Sequence, residues 1–194
     1  MSALKELACD VMLLRVRMST IATRHLLSLP EVNAMEEETF VTTFGPVFEH
    51  SPWIARETWS QRPFASRDDL LGRLLAALRR APLEKKVALI AAHPDLAGRL
   101  ARLGQLTKES SGEQSSAGLD RLASEEARKF EDYNQRYREK FGFPFVICAR
   151  LNDKKTIFDA FERRLKLSRE AEIETALDEI EKIARLRLES LMVA

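Results

Sequence analysis

The chain is poor in several things that specialised folds and sites require. It has two cysteines in 194 residues, Cys9 and Cys148, far apart in the sequence. Two distant thiols cannot make a disulfide framework, and both read as reduced cysteines of a reducing compartment. There are three histidines, none at i, i+4 spacing, and no cysteine pair, so no metal site is expected. Only seven glycines are present, and neither a Gly-rich phosphate loop nor a Gly-x-Ser-x-Gly elbow occurs. Charge of one sign is also missing: 31 basic against 30 acidic side chains leave +1. Such a surface has no electrostatic pull on a phosphate backbone, which argues against a nucleic-acid partner. The longest N-terminal apolar run, residues 11–14, is too short to span a membrane, and no secretory pattern surrounds it. The last four residues, Leu-Met-Val-Ala, are not a Ser-Lys-Leu-type address. A soluble cytoplasmic protein is the expectation.

What the chain does have is helical periodicity. No stretch alternates as a half-buried strand would. Residues 1–28 read as one helix ending near Pro30, and residues 36–48 as another with Phe40, Phe44, Val47 and Phe48 on its apolar side. Ser66 and Asp69 mark a helix start, followed by Leu70, Leu71, Leu74, Leu75 and Leu78. Pro82 suits the first turn of a helix carrying Leu83, Val87 and Ile90. Ser124, Glu125 and Glu126 open a helix running to about Phe141. In the last helix Ile173, Leu177, Ile180, Ala184, Arg187 and Leu191 recur at spacings of 4, 3, 4, 3 and 4. That stripe must face a core or a partner. The fold expected is all-α: a compact single-domain helical bundle over residues 30–194, with residues 1–29 as a variable helical extension. The polar stretch 104–117 is expected to be an ordered functional loop.

A few residues have chemistry to offer. His93 precedes Pro94, which pushes it out of helical geometry. The helix before it should end there, and a short second helix should run from Pro94 to Leu100. Its apolar neighbours (Leu89, Ile90, Ala91, Ala92) favour the neutral imidazole. A lone histidine is more often structural than catalytic. Ser110-x-x-Glu113 has the spacing of a capping box. A helix N-terminus also offers free N–H groups to an anion or a urea oxygen, Gly112 allows close approach to the backbone, and Gln114 can donate and accept. Residues 143–150 resemble a buried strand with no second strand to pair with. Their peptide groups need partners, from the core or from a ligand with amide-like groups. Arg187 lies on the apolar stripe. It either snorkels outward or points inward, where it needs an anion such as Glu113 or a substrate carboxylate. His50 and Trp53 read as packing beside Pro52, and His25 has no evident acidic partner.

Several pieces in order resemble one family. They are Phe48-Glu49-His50-Ser51-Pro52-Trp53, His93-Pro94-Asp95-Leu96-Ala97-Gly98, Ser110-x-x-Glu113-Gln114, Ala117-Gly118-Leu119, the run from Tyr137 to Arg150 and Leu186-Arg187-Leu188. The set resembles the 2-oxo-4-hydroxy-4-carboxy-5-ureidoimidazoline (OHCU) decarboxylases of uric acid degradation, over about residues 30 to 192. The resemblance implies an all-helical, cofactor-free enzyme, often dimeric, that acts on a small ureidoimidazoline. It implies that His93 is the catalytic acid, with Glu113 and Arg187 in the active site. It further implies substrate contacts from Pro94, Ser110, Ser111, Gly112, Glu113 and Gln114, and from Phe145, Val146, Ile147, Cys148 and Ala149. Whether Glu113 orients His93 or holds the substrate hydroxyl stays open at this point. Two other readings compete. One is a hydrolase or isomerase of another ureido or hydantoin compound. The other is a non-enzymatic helical module that docks through its last helix.

Overall fold

The computed structural model describes residues 25–98 and 104–194. The helix expected over residues 1–28 therefore falls almost wholly outside the described residues. The all-α expectation holds: nine α-helices are described, and no strand is present among the described residues. In chain order they are α1 (Leu29–Asn33), α2 (Glu37–Phe44), α3 (Trp53–Trp59), α4 (Arg67–Arg80), α5 (Leu83–Ala92), α6 (Lys108–Ser116), α7 (Ser124–Phe141), α8 (Lys154–Arg164) and α9 (Arg169–Glu189). Two single 3-10 turns, Gly45–Val47 and Ala149–Leu151, join them. None of these helices is long and apolar enough to cross a membrane.

Local chemistry explains most boundaries. Ser66 accepts the Asp69 N–H at 3.0 Å and starts α4, while the Asp69 carboxylate takes the Ala65 N–H at 2.9 Å. Asp153 and Ser168 cap α8 and α9 in the same way. Gly142, at φ 79°, ends α7 in the left-handed conformation that glycine adopts without strain. Two expectations change. Pro30 does not end a helix; it sits in the first turn of α1, behind the Ser28 cap. The helix expected over residues 36–48 stops at Phe44 and tightens into the 3-10 turn around Pro46, because proline has no N–H to continue the ladder.

α9 organises the core. Ile173, Leu177, Ile180 and Ala184 are buried as the stripe requires, and the helix packs against α4, α5, α7 and the first 3-10 turn. A second cluster joins α7 to α8 through aromatic rings. The rings of Phe145 and Phe161 stack at 3.8 Å, and Tyr137 meets Phe145 edge-on at 5.1 Å. Near the chain ends, Leu27 donates to the Leu191 carbonyl and Val193 to the Leu27 carbonyl, closing the bundle with a single parallel bridge between Leu27 and Met192.

Candidate active site

His93 ends α5 in extended geometry (φ −71°, ψ 141°), as the following proline requires. Its ring folds back along the helix, and Nδ1 lies 2.9 Å from the Leu89 carbonyl. A carbonyl only accepts, so Nδ1 carries the hydrogen. In the neutral ring Nε2 is then a bare acceptor. Residues 94–98 make a turn rather than the start of the helix expected there. Ala97 has φ 51°, and the Gly98 N–H donates to the Asp95 carbonyl. A Cβ on Gly98 would sit 2.7 Å from Asp95 Cβ, so this closure needs glycine. The rest of that expected helix reaches outside the described residues. Gln114 Oε1 accepts the Ala97 N–H at 2.9 Å, Asn134 donates to the Leu96 carbonyl at 2.9 Å, and Arg138 pairs with Asp95 at 2.9 Å. This turn fixes where the imidazole starts.

The stretch expected to be a loop, residues 104–117, contains α6. Its cap is Thr107, which accepts the Ser110 N–H. The capping-box reading of Ser110 and Glu113 is thereby overturned: Ser110 is the third residue of the helix and Glu113 lies a turn further on. α6 has no apolar face. Its two buried residues are Ser110 and Gln114, and it is fixed to the bundle by polar contacts.

Those contacts converge on Arg187, which points inward and is 5% exposed. Its Nε and Nη2 donate to the two oxygens of Glu113, at 2.7 and 2.8 Å. Nη1 donates to Glu49 at 3.0 Å and to the Pro46 carbonyl at 3.1 Å. Glu49 also accepts the hydroxyls of Thr107 and Ser110. The guanidinium's charge, held on a planar fork, is thus shared by two carboxylates. Burial alone would raise the Glu49 carboxyl, but the Arg187 guanidinium, His93 and the Thr107 hydroxyl together hold it below its ordinary value. Sequence reasoning passed over Glu49 as an individual site residue. It lies in a turn with no periodicity, and its signal is a lone acid beside the buried Phe48. His25, read from the sequence as having no acid nearby, in fact pairs with Glu31 at 3.0 Å on the surface.

His93, Pro94, Leu96, Ser110, Glu113, Gln114, Phe145, Val146, Ile147, Ala149 and Ile183 line one cavity of about 30 Å³. Ser111 and Gly112 are exposed on the far side of α6 and do not line it. Cys148 is buried and free, and it too is outside the lining; burial pushes its thiol up to about 11. Arg187 stands behind Glu113 rather than on the wall. Residues 143–149 are a buried irregular connector rather than a strand. Among the described residues no group of three or more His, Cys, Asp or Glu is arranged to hold a metal ion.

Burial pushes the His93 imidazole from 6.5 down to about 4, and the charges of Arg187 and His50 act in the same direction. The Leu89 carbonyl and the Glu49 carboxylate oppose the shift. Between pH 6.5 and 4 the unfolded chain therefore binds a proton that the folded chain refuses, and stability falls as pH falls through that window. From pH 7 to 4.5 this removes about 2 kcal/mol. His93→Gln should abolish that part of the loss in urea titrations. The contribution of Glu49 has the opposite origin: its lowered carboxyl loses stability only as pH drops below its ordinary value, and it does so in both proteins. Equal pH dependence in the two proteins would show that His93 is not held neutral.

The family model for OHCU decarboxylase matches residues 33–189. The 2-oxo-4-hydroxy-4-carboxy-5-ureidoimidazoline decarboxylase of Mus musculus is 42% identical over 168 residues, covering 87% of this chain and 94% of its own. That of Haloferax volcanii is 43% identical over 164 residues, covering 84% and 95%. Among solved structures, an OHCU decarboxylase crystallised in the presence of (S)-allantoin superposes with a TM-score of 0.62 at 22% identity, covering 81% of this chain and 98% of that one. An (S)-allantoin synthase gives 0.66 at 24% identity, covering 86% and 54%. At such identities the structural likeness concerns the fold. The matched family model and these relatives show that this chain belongs to the OHCU decarboxylase family.

Proposed function

We propose that this chain decarboxylates 2-oxo-4-hydroxy-4-carboxy-5-ureidoimidazoline to (S)-allantoin and CO2 in uric acid degradation, with His93 delivering the proton. The observation that carries this reading is the Nδ1 contact with Leu89, which leaves Nε2 as the titratable atom of a buried imidazole on the cavity wall. The reaction balances around that atom. The C–COO⁻ bond breaks, and its electron pair passes into the adjacent C=N system of the ring. The ring nitrogen takes one proton from solvent. The hydroxyl on the decarboxylated carbon releases a proton as it becomes a carbonyl, and the carbon bearing the ureido group gains one. A neutral imidazole can accept the first of these last two protons and deliver the second, which is acid catalysis at the product-forming step. The ring itself holds the electrons, so the residues are asked only for placement and proton transfer.

The rest of the cavity suits this task. Pro94, Leu96, Phe145, Val146 and Ile183 give the carboxylate apolar surroundings, which disfavour an anion more than CO2. Arg187 is already matched by two carboxylates. The cluster carries a net negative charge and does not hold the departing carboxylate back. Glu113 is occupied by Arg187, while Leu89 orients His93, so we assign Glu113 to the substrate rather than to the imidazole. Pro94, Ser110 and Gln114 on one side, and Phe145, Val146, Ile147 and Ala149 on the other, form the substrate's walls. In line with the family resemblance, we take the enzyme to be a cofactor-free cytoplasmic homodimer.

The test is to mix freshly generated substrate with the protein and follow CO2. This reading expects one CO2 per substrate consumed, faster than the spontaneous rate. Consumption without added CO2 would favour the hydrolase or isomerase reading, and no acceleration would favour the docking module.

A further inference from the structure

Residues 145–148 run past the cavity outside any helix or strand, and the 3-10 turn that begins at Ala149 satisfies the Cys148 and Ala149 carbonyls through the N–H groups of Leu151 and Asn152. Two side chains from the helices reach residues 146 and 148, and Asn152, just after the turn, adds a bond from Nδ2 to the Cys148 carbonyl at 2.9 Å. Arg164 of α8 donates from Nη1 to the Val146 carbonyl at 2.8 Å, and its guanidinium lies 4.4 Å from the centre of the Phe145 ring. Arg164 is itself fixed by a buried pair with Glu172, with side chains 3% and 0% exposed. Glu179 of α9 accepts the Cys148 N–H at 2.9 Å. Between these two anchors lies Ile147, which is buried and lines the cavity. Its N–H and carbonyl make no hydrogen bond to another described residue. A buried peptide group without a partner is costly. Anchors on either side that leave the middle peptide edge open describe a recognition element: one donor and one acceptor offered side by side.

We propose that Glu179 and Arg164 are positioning residues for substrate recognition, holding residues 146 and 148 against the scaffold so that the Ile147 peptide edge meets an amide- or urea-type N–H and C=O of the substrate. This rests on the decarboxylase reading and adds to it the two side chains that set the shape of one wall. Arg164 is buried with its partner, and its removal would disturb the core. Glu179 is the better handle, since its side chain is 13% exposed and its other contact is a surface pair with Lys182.

The experiment compares Glu179→Ala, Glu179→Gln and Lys182→Ala with the wild type, measuring kcat, KM, melting temperature and calorimetric affinity for (S)-allantoin. Alanine removes the acceptor that holds the Cys148 N–H. It should raise KM and weaken (S)-allantoin binding about tenfold or more, with kcat within about threefold and a nearly unchanged melting temperature. Glutamine retains an acceptor oxygen and should restore most of the affinity, and Lys182→Ala should match the wild type. A Glu179→Ala protein with wild-type KM and allantoin affinity overturns the proposal, as does one whose kcat and melting temperature fall together while KM stays constant. The underlying reading fails separately: a wild-type protein that releases no CO2 contradicts the decarboxylase assignment whatever the variants do.

Discussion

His93→Asn is expected to leave the fold intact and to lower turnover by roughly 10²-fold or more, the scale of a positioned general acid. The fold should survive because His93 lies at the end of α5, where extended geometry is set by Pro94 and the turn is held by Gln114, Asn134 and Arg138. Asparagine is smaller and polar and can still donate toward the Leu89 carbonyl. It has no basic ring nitrogen to take up and pass on a proton during the reaction. Steady-state rates on protein of verified melting temperature check this. Activity near that of the wild type would remove His93 from the chemistry.

The second large effect concerns Arg187. Arg187→Lys keeps the charge but has no planar fork, so it cannot serve Glu113 through two parallel bonds and reach Glu49 and the Pro46 carbonyl as well. One buried carboxylate is then left poorly matched, which is costly in a dry site. Glu113 is part of the cavity wall, so its displacement reaches the substrate. Catalytic efficiency should fall about 10- to 100-fold, equivalent to the roughly 1.5–3 kcal/mol of a charge-assisted contact. Arg185→Lys is the control, because Arg185 is exposed on the same helix and should be almost silent. Equal efficiencies in the two variants would mean that the geometry of the Arg187 fork does not matter to the reaction.

These two residues differ in how readable they were. The 4-3-4 spacing of α9 placed Arg187 on the apolar stripe but left it free to snorkel outward or point inward; the structure turns it inward. That its anions are Glu113 and Glu49 is a tertiary fact, with partners 74 and 138 positions away. The end of α5 at His93 was legible because proline acts locally. Of α6 the sequence offered only a capping-box start at Ser110, three residues past the cap at Thr107, within a stretch otherwise expected to be a loop. Hydrophobic periodicity is the main helix signal, and α6 buries only Ser110 and Gln114. Its stability comes from polar contacts to Arg187, Glu49 and the turn at 95–97, none of which local pattern can reveal. The same logic applies to residues 143–149. Their composition resembles a strand, yet the groups that engage Val146 and Cys148 are side chains of α8 and α9, with the Leu151 N–H and the Asn152 amide from the turn that follows. Motif resemblance supplied the pieces of the site, and the fold supplied the reason they stand together.

The central claim is that one imidazole delivers one proton to one face of the decarboxylated ring. The handedness of the product tests this most directly. Freshly generated substrate should be converted by the wild type in a polarimeter cell, with His93→Asn run in parallel. The wild type should give a single enantiomer, (S)-allantoin, whose rotation grows in step with CO2. The asparagine variant should give optically inactive product at close to the spontaneous rate. Racemic allantoin from the wild type, or full (S) selectivity at full rate from the variant, would contradict the account.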